Sequence, residues 1–255
     1  MLGRFFSQLH LAITDFAFYQ SIWQQPIRAT LVFILYLSAV VAVGLTLIYA
    51  WYLQPVVSDF VAWAEVSAPP FAVENDQLSV EADQPLLLKY RNNLTWTFVF
   101  DTTGTYQDPE GLEEPVFLFT RERLFFRYQG RTETYSWKDL GTLEVRPEDL
   151  KDFKKILTLI YFPLGYSVFL IYTMVAKSFQ ALLLCPIAFV VGTGYGVRLS
   201  LRNAFTIAIY SLVPAIAIDL AVRITGLSIS YFDLIYLAIA GIYIYFATQK
   251  CVVIH

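Results

Sequence analysis

Charge, cysteine and histidine are all scarce in this chain, and each shortage closes off a class of function. Charged residues make up 15% of the 255 positions, whereas soluble domains run near ~25%, so an ordinary soluble domain does not account for the sequence. The two cysteines, Cys185 and Cys251, lie outside the polar middle of the chain, and no disulfide framework staples that region. The two histidines, His10 and His255, stand at opposite ends. With so few nitrogen and sulfur ligands the usual Cys/His metal sites drop out, and neither a metal nor a cofactor is expected. The polar middle has no His or Cys with which to build a nucleophilic triad, and the apolar runs carry no histidine to serve an intramembrane serine protease. An enzyme is thus the least expected class. A cationic surplus is missing too: residues 54–155 hold 11 Lys+Arg against 18 Asp+Glu, a net of −7. An acidic surface repels phosphate, so no nucleic-acid partner is expected. The terminal CVVIH is one residue too long for a prenylation box.

What the chain has in quantity is apolar sequence, 57% of it. One run covers residues 27–53 and a second extends from Ile156 to Ile254. An apolar run of ~20 residues matches the ~30 Å hydrocarbon core of a bilayer. The fold class predicted is an α-helical integral membrane protein of about five spans, with a small antiparallel all-β insert between spans one and two. Residues 1–26 are aromatic-rich but interrupted by Arg4, Gln8, His10 and Asp15. They lack the apolar core of a signal peptide and read as an amphipathic interfacial helix or as a helix packed on the spans. Residues 27–53 form the first span, with Pro55 ending it. Residues 54–146 form the β-rich extramembrane domain, and residues 147–255 a helical membrane domain of about four spans. The stretch 156–196 is about twice a bilayer in length as a helix. It is predicted to be two spans with a break near Lys177-Ser178, one long helix being the alternative. Five spans put the termini on opposite sides. Arg4 and Arg28 before the first span, and Asp59, Glu65 and Glu74 after it, favour a cytoplasmic N-terminus and an external β domain. Lys151, Lys154, Lys155, Arg198 and Arg202 argue the other way.

The insert reads as five to seven strands. FAVEND-QLSVEA shows two alternating runs around a polar turn, LTWTFVFDTTG a strand running into a turn, and PVFLFT–LFFRYQG–RTETYSW a meander. Its predicted core is Phe71, Val73, Leu78, Val80, Trp96, Phe98, Val116, Leu118, Phe125 and Trp137. RPEDLKDFKK then starts a helix, with Pro147 in its first turn and Glu148 and Asp149 complementing the positive helix end.

Few constellations carry chemistry. Asp219 and Arg223 are four apart on a span and share a helix face. Charges inside spans are costly and often functional. The pair is either a helix-end ion pair or the wall of a polar cavity. Pro163, Pro186 and Pro214 each fall in a span and could kink it, as in the discontinuous helices of transporters. Gly192, Gly194 and Gly196 suggest close helix contact or a flexible helix end. In Asp101-Thr102-Thr103-Gly104 the Asp and Thr side chains can hydrogen-bond the turn backbone. The acidic run Asp108, Glu110, Glu113 and Glu114 lacks the spacing of a calcium loop and reads as a solvated loop. Asn93-Leu94-Thr95 fits a glycosylation acceptor.

PPFAVENDQLSV, TFVFDTTGTY, VFLFTRERLFFRYQGRTETYSWKDL and LSLRNAFTIAIYSLVPAIAIDL, in this order, resemble the bacterial membrane family known as domain of unknown function 1189. Some of its members are labelled maltodextrin-utilisation proteins. The membrane region is also similar to that of the five-span Yip-type proteins of membrane trafficking. The resemblance implies a topology and a multi-pass place in a bacterial inner membrane, and carries no catalytic residues with it. The leading expectation is a non-enzymatic protein of the bilayer whose external β domain binds another membrane or envelope protein. A transport accessory or permease-like protein comes second, and a membrane-organising factor of Yip type third.

Overall fold

The computed structural model describes Leu2–Val252 apart from Asn93 and Leu140. The possible glycosylation acceptor Asn93 and the terminal His255 therefore lie outside the described residues. The chain divides into two compact units, Met1–Ala50 with Tyr161–His255, and Trp51–Ile160.

The first unit is helical. It holds two short helices, α1 (Leu2–Thr14) and α2 (Phe18–Ile22), the part of the long α3 (Ile27–Ser67) up to Ala50, the part of α4 (Leu150–Gly194) from Tyr161, and α5 (Leu201–Thr225) and α6 (Phe232–Val252). Of these, α3, α4, α5 and α6 are long and apolar enough to cross a membrane. At its centre lies α5, with every residue from Thr206 to Ile216 buried. A helix that is apolar all round needs partners all round. Phe33 of α3 stacks on Tyr210 at 3.9 Å, and Phe18 of α2 meets the same ring. The outward residues of α3, α4 and α6, among them Leu31, Leu47, Leu183 and Leu234, are exposed. Small residues, Ala204, Ala208 and Ala215 on α5 and Ala240 and Ala247 on α6, keep the packed helices close.

Residues 1–26 pack on this bundle. Phe5, Ala12, Tyr19 and Ile22 are buried, and Gln20 and Tyr243 join α2 and α1 to α6 by hydrogen bonds to the Lys250 and Ile13 carbonyls. A polar network ties the entry of α3 to α5: Gln25 donates to Thr30 and Tyr210, and Thr30 and Thr206 share a buried hydrogen bond of 2.9 Å.

The stretch 156–196, expected as two spans, is one continuous helix as far as Gly194, so the described helices of spanning length number four, not five. The physical reason is local. The stretch around Lys177-Ser178 has no Gly or Pro to release the helix, and Ser178 donates back to the Met174 carbonyl. The helix ends instead at Gly192–Gly196. Val197 N–H reaches Gly192 O and Gly196 N–H reaches Thr193 O, each at 2.9 Å, with Gly196 at φ +76°. This is the Schellman pattern, which closes the last carbonyls and requires the left-handed conformation that glycine adopts without strain. Ser200 caps α5 by accepting from Asn203 N–H.

The second unit holds eight strands: β1 (Phe71–Glu74), β2 (Gln77–Val80), β3 (Leu86–Arg91), β4 (Thr95–Asp101), β5 (Val116–Thr120), β6 (Arg123–Tyr128), β7 (Arg131–Ser136) and β8 (Leu143–Val145). They form a three-stranded sheet, β2-β1-β8, and a five-stranded sheet, β3-β4-β5-β6-β7. Asn75 and Asp76 adopt positive φ in the β1–β2 hairpin, as do Gln129 and Gly130 in the β6–β7 hairpin, the geometry of tight hairpin turns.

The insert is not wholly antiparallel, because β4 and β5 pair in parallel. Parallel neighbours need a crossover of roughly a dozen residues or more, and residues 102–115 provide it. Tyr106 and Leu112 of that crossover pack on buried Val99, Val116 and Leu118. Nor does Pro55 end the first helix: α3 runs through it to Ser67. Past the proline, Val61 and Ala64 are buried, and Phe60 and Trp63 pack on Tyr90 and Phe98. That packing holds the helix beyond the position where the missing N–H would otherwise release it.

The large sheet is used on both faces. Val99, Val116 and Leu118 line one side beneath the crossover. Aromatic rings pave the other, where Phe100–Phe119 and Phe117–Phe126 stack at 4.5 and 4.6 Å. Of the predicted core, Val73, Leu78, Val116, Leu118 and Trp137 are buried, while Trp96, Phe98 and Phe125 are half-buried.

Candidate functional site

The helical unit contains a cavity of about 430 Å³ walled by α3, α4, α5 and α6. Each wall follows helical spacing. Thr173, Ala176, Lys177 and Gln180 form one stripe of α4, Val41, Leu45 and Tyr49 one stripe of α3, and Phe232, Asp233 and Tyr236 the first turns of α6. From α5 come Asp219 and Arg223, just beyond the wholly buried stretch that ends at Ile216.

Arg223 Nε donates to Asp219 Oδ1 at 2.9 Å. The carboxylate is the more enclosed partner, with 19% of its side chain exposed against 47% for the guanidinium. The pair is thus both things the spacing allowed: an ion pair in the last turns of a helix, and part of a cavity wall. The same wall contains Lys177. Its ammonium donates to Gln180 Oε1 and to the Tyr236 hydroxyl, each at 3.1 Å, and lies 4.7 Å from the centre of the Tyr236 ring. The Tyr236 hydroxyl in turn donates to Gln180 Oε1 at 3.2 Å. Among the described residues no carboxylate comes within 4.0 Å of the Lys177 ammonium. Sequence reasoning treated Lys177 as the mark of a helix break. The signal that could have found it is the isolated charge itself, the only Lys or Arg between Lys155 and Arg198.

Pro163 and Pro186 lie inside α4 and Pro214 inside α5. Both helices continue through them, and none of the three lines the cavity. Among the described residues the cavity wall is made of side chains on unbroken helices. Gly192, Gly194 and Gly196 belong to the end of α4 and not to the cavity.

In the other unit, Asp101-Thr102-Thr103-Gly104 opens the crossover from β4. The buried Asp101 carboxylate accepts from the N–H and O–H of Thr103, from Gly104 N–H and from Tyr106 N–H. Thr102 donates through N–H and O–H to Gln84 Oε1, and Gly104 sits at φ +83°. Burial pushes the Asp101 carboxyl up, but the hydrogen bonds from Thr103, Tyr106 and Gly104 outweigh it and hold the group below the usual carboxylate range. The arrangement is a turn lock with no free face. The acidic run is likewise spoken for: Glu113 pairs with Lys89, Glu114 with Arg127 at 2.7 Å, and Asp108 caps Glu110 N–H. Among the described residues no group of three His, Cys, Asp or Glu side chains is placed to hold a metal ion.

The model of a family described as protein of unknown function (DUF1189) matches residues 6–248, nearly the whole chain. No curated protein and no solved structure matches.

The Asp101 lock carries a prediction. Asn cannot accept with two charged oxygens, so Asp101→Asn should destabilise the β unit by about 1–3 kcal/mol, read as faster amide exchange over residues 95–120 in the intact chain. The sign of the pH effect follows from a folded-state value below the unfolded one. The stabilisation is complete above about pH 4 and fades as pH falls toward the depressed value. Wild type should therefore lose protection on acidification, while Asp101→Asn should be flatter through the same window. Equal pH profiles in both chains would sink the assignment.

Proposed function

The chain belongs to the DUF1189 family, and we propose that it is a non-enzymatic multi-pass membrane protein whose long helices enclose a site for a small polar ligand, in the manner of a permease or a transport accessory. One observation carries this reading: a half-open cavity of about 430 Å³ lined by Lys177, Asp219, Arg223 and Asp233 between helices otherwise apolar. Its volume falls in the range of small-molecule sites. Charged side chains inside spans are expensive and tend to be kept for ligand or ion handling. The lead thus passes from the β domain to the helices. Proteoliposomes loaded with a defined mixture of small polar solutes test it, with efflux followed by mass spectrometry. At least one solute should leave faster than from protein-free vesicles. Asp219→Asn, or Ala176→Phe filling the cavity, should slow that efflux tenfold or more. Identical retention with and without the protein would end the proposal.

Four spans also change the orientation argument. An even number of crossings returns the chain to its starting side, in keeping with the packing of α1 and α2 on the far end of α6. Arg4, Arg28, Arg198, Arg202 and Lys250 then fall on one side, facing only Asp15 among acidic residues. The positive-inside bias makes that side cytoplasmic and the β domain external, and Arg198 and Arg202 cease to be counter-evidence. With Cys185 and Cys251 replaced by alanine, an impermeant maleimide should label Gln129→Cys in intact spheroplasts and Ser7→Cys only after permeabilisation. The reverse pattern would invert the topology.

A second reading keeps the β domain as a binding module for an envelope or membrane protein. It is favoured by the half-buried aromatic shelf of Trp96, Phe117 and Phe126, stacked within 6.4 Å, since aromatic residues are enriched at interface hot spots. A partner co-purifying from native membranes with wild type, and lost from Trp96→Ala/Phe126→Ala, would support it. No partner in either preparation would dismiss it. The Yip-type likeness rests on the pattern of spans, and no side-chain arrangement adds to it.

A further inference from the structure

The charges in the cavity do not all cancel in place. Asp219 and Arg223 neutralise each other at 2.9 Å. That leaves one cation, Lys177, and one carboxylate, Asp233, in the same cavity. Among the described residues neither has an ion-pair partner within 4.0 Å. The Lys177 ammonium has three N–H groups and places two of them on neutral oxygens, Gln180 Oε1 and the Tyr236 hydroxyl. Neutral acceptors satisfy its hydrogen bonding but give the half-buried ammonium no salt-bridge partner, and a charge between apolar helices gains from one. Asp233 is exposed in the first turn of α6, three residues ahead of the Tyr236 whose hydroxyl meets Lys177. The two groups form no ion pair with each other within 4.0 Å, yet they border one cavity of small-molecule size.

A lone anion would leave Asp233 unanswered and a lone cation would leave Lys177 unanswered. We infer that the cavity takes a zwitterionic ligand, its negative group on the Lys177 ammonium and its positive group on the Asp233 carboxylate, with Gln180 and Tyr236 holding Lys177 in position. This rests on the reading of the cavity as a ligand site and adds the ligand's chemistry to it. Two sources share that chemistry: an ethanolamine phospholipid headgroup, with phosphate and ammonium, and a free amino acid, with carboxylate and ammonium.

The test uses the full-length chain in nanodiscs. Discs of phosphatidylglycerol alone, discs containing phosphatidylethanolamine, and phosphatidylglycerol discs given a mixture of free neutral amino acids are compared. Native mass spectrometry reads bound ligand and thermal denaturation reads stabilisation. A zwitterion should be retained one to one, and Lys177→Gln and Asp233→Asn should each weaken retention at least tenfold. Retention only of phosphatidylethanolamine assigns the site to a lipid headgroup; retention of an amino acid in phosphatidylglycerol discs assigns it to a soluble solute. Asp233 is exposed, so Asp233→Asn keeps the fold and reads the ligand contact even where Lys177→Gln disturbs the bundle. Retention unchanged by Asp233→Asn, or inorganic phosphate competing as well as a zwitterion, overturns the inference. Efflux of a non-zwitterionic solute that depends on Asp219 would overturn it too, while leaving the cavity a ligand site. With no solute bound and none crossing, both fall together.

Discussion

The helical unit depends on the complete burial of one helix. From Thr206 to Ile216 no face of α5 is open, and the other helices are arranged to cover it. That demand explains features that look unrelated in the sequence. Aromatic residues near the N-terminus supply rings for Tyr210. Alanines on α5 and α6 allow close approach. Two polar side chains of the buried stretch are accommodated by pairing, Thr206 with Thr30 and Tyr210 with Gln25. The cavity begins where this cover stops. One turn beyond Ile216 the helix carries Asp219 and then Arg223, residues it could not have afforded inside the packed segment.

Local patterns in the sequence were legible where one short rule governs them. Asn75-Asp76 and Gln129-Gly130 are turn dipeptides between alternating strands, and they form the hairpins their chemistry suggests. The spacing of Asp219 and Arg223 put the two on one helix face, and they pair. What escaped reading depends on distant partners. Parallel pairing of β4 with β5 is decided by how residues 102–115 travel, and Tyr106 and Leu112 among them pack on the sheet core. The continuation of α3 through Pro55 depends on Phe60 and Trp63 finding the rings of Tyr90 and Phe98. Both are cases of tertiary contact overriding a local preference.

Lys177 shows why the site itself was only half readable. A single lysine beside a serine in a long apolar stretch has the look of a loop, and a loop there gave spans of ordinary length. The helix keeps it because α6 contributes Tyr236 and α4 its own Gln180. Two of its three hydrogen bonds are met without a carboxylate. One residue thus bears on both the count of helices of spanning length and the character of the cavity, since as a helix residue it shares the cavity wall with Asp219 and Arg223.

The order of the helices has a consequence for biosynthesis. The helix around which the unit packs is the fifth of six to be made. Until Leu201–Thr225 leaves the ribosome, Phe33, Ile34, Leu37 and Val41 of α3 lack the core they later join, and Thr30 lacks its partner on α5. Until then the helices made earlier lack the helix they pack on, whereas the β unit holds its own core. The core is then completed late, when α5 and the α6 that packs on it have both been made.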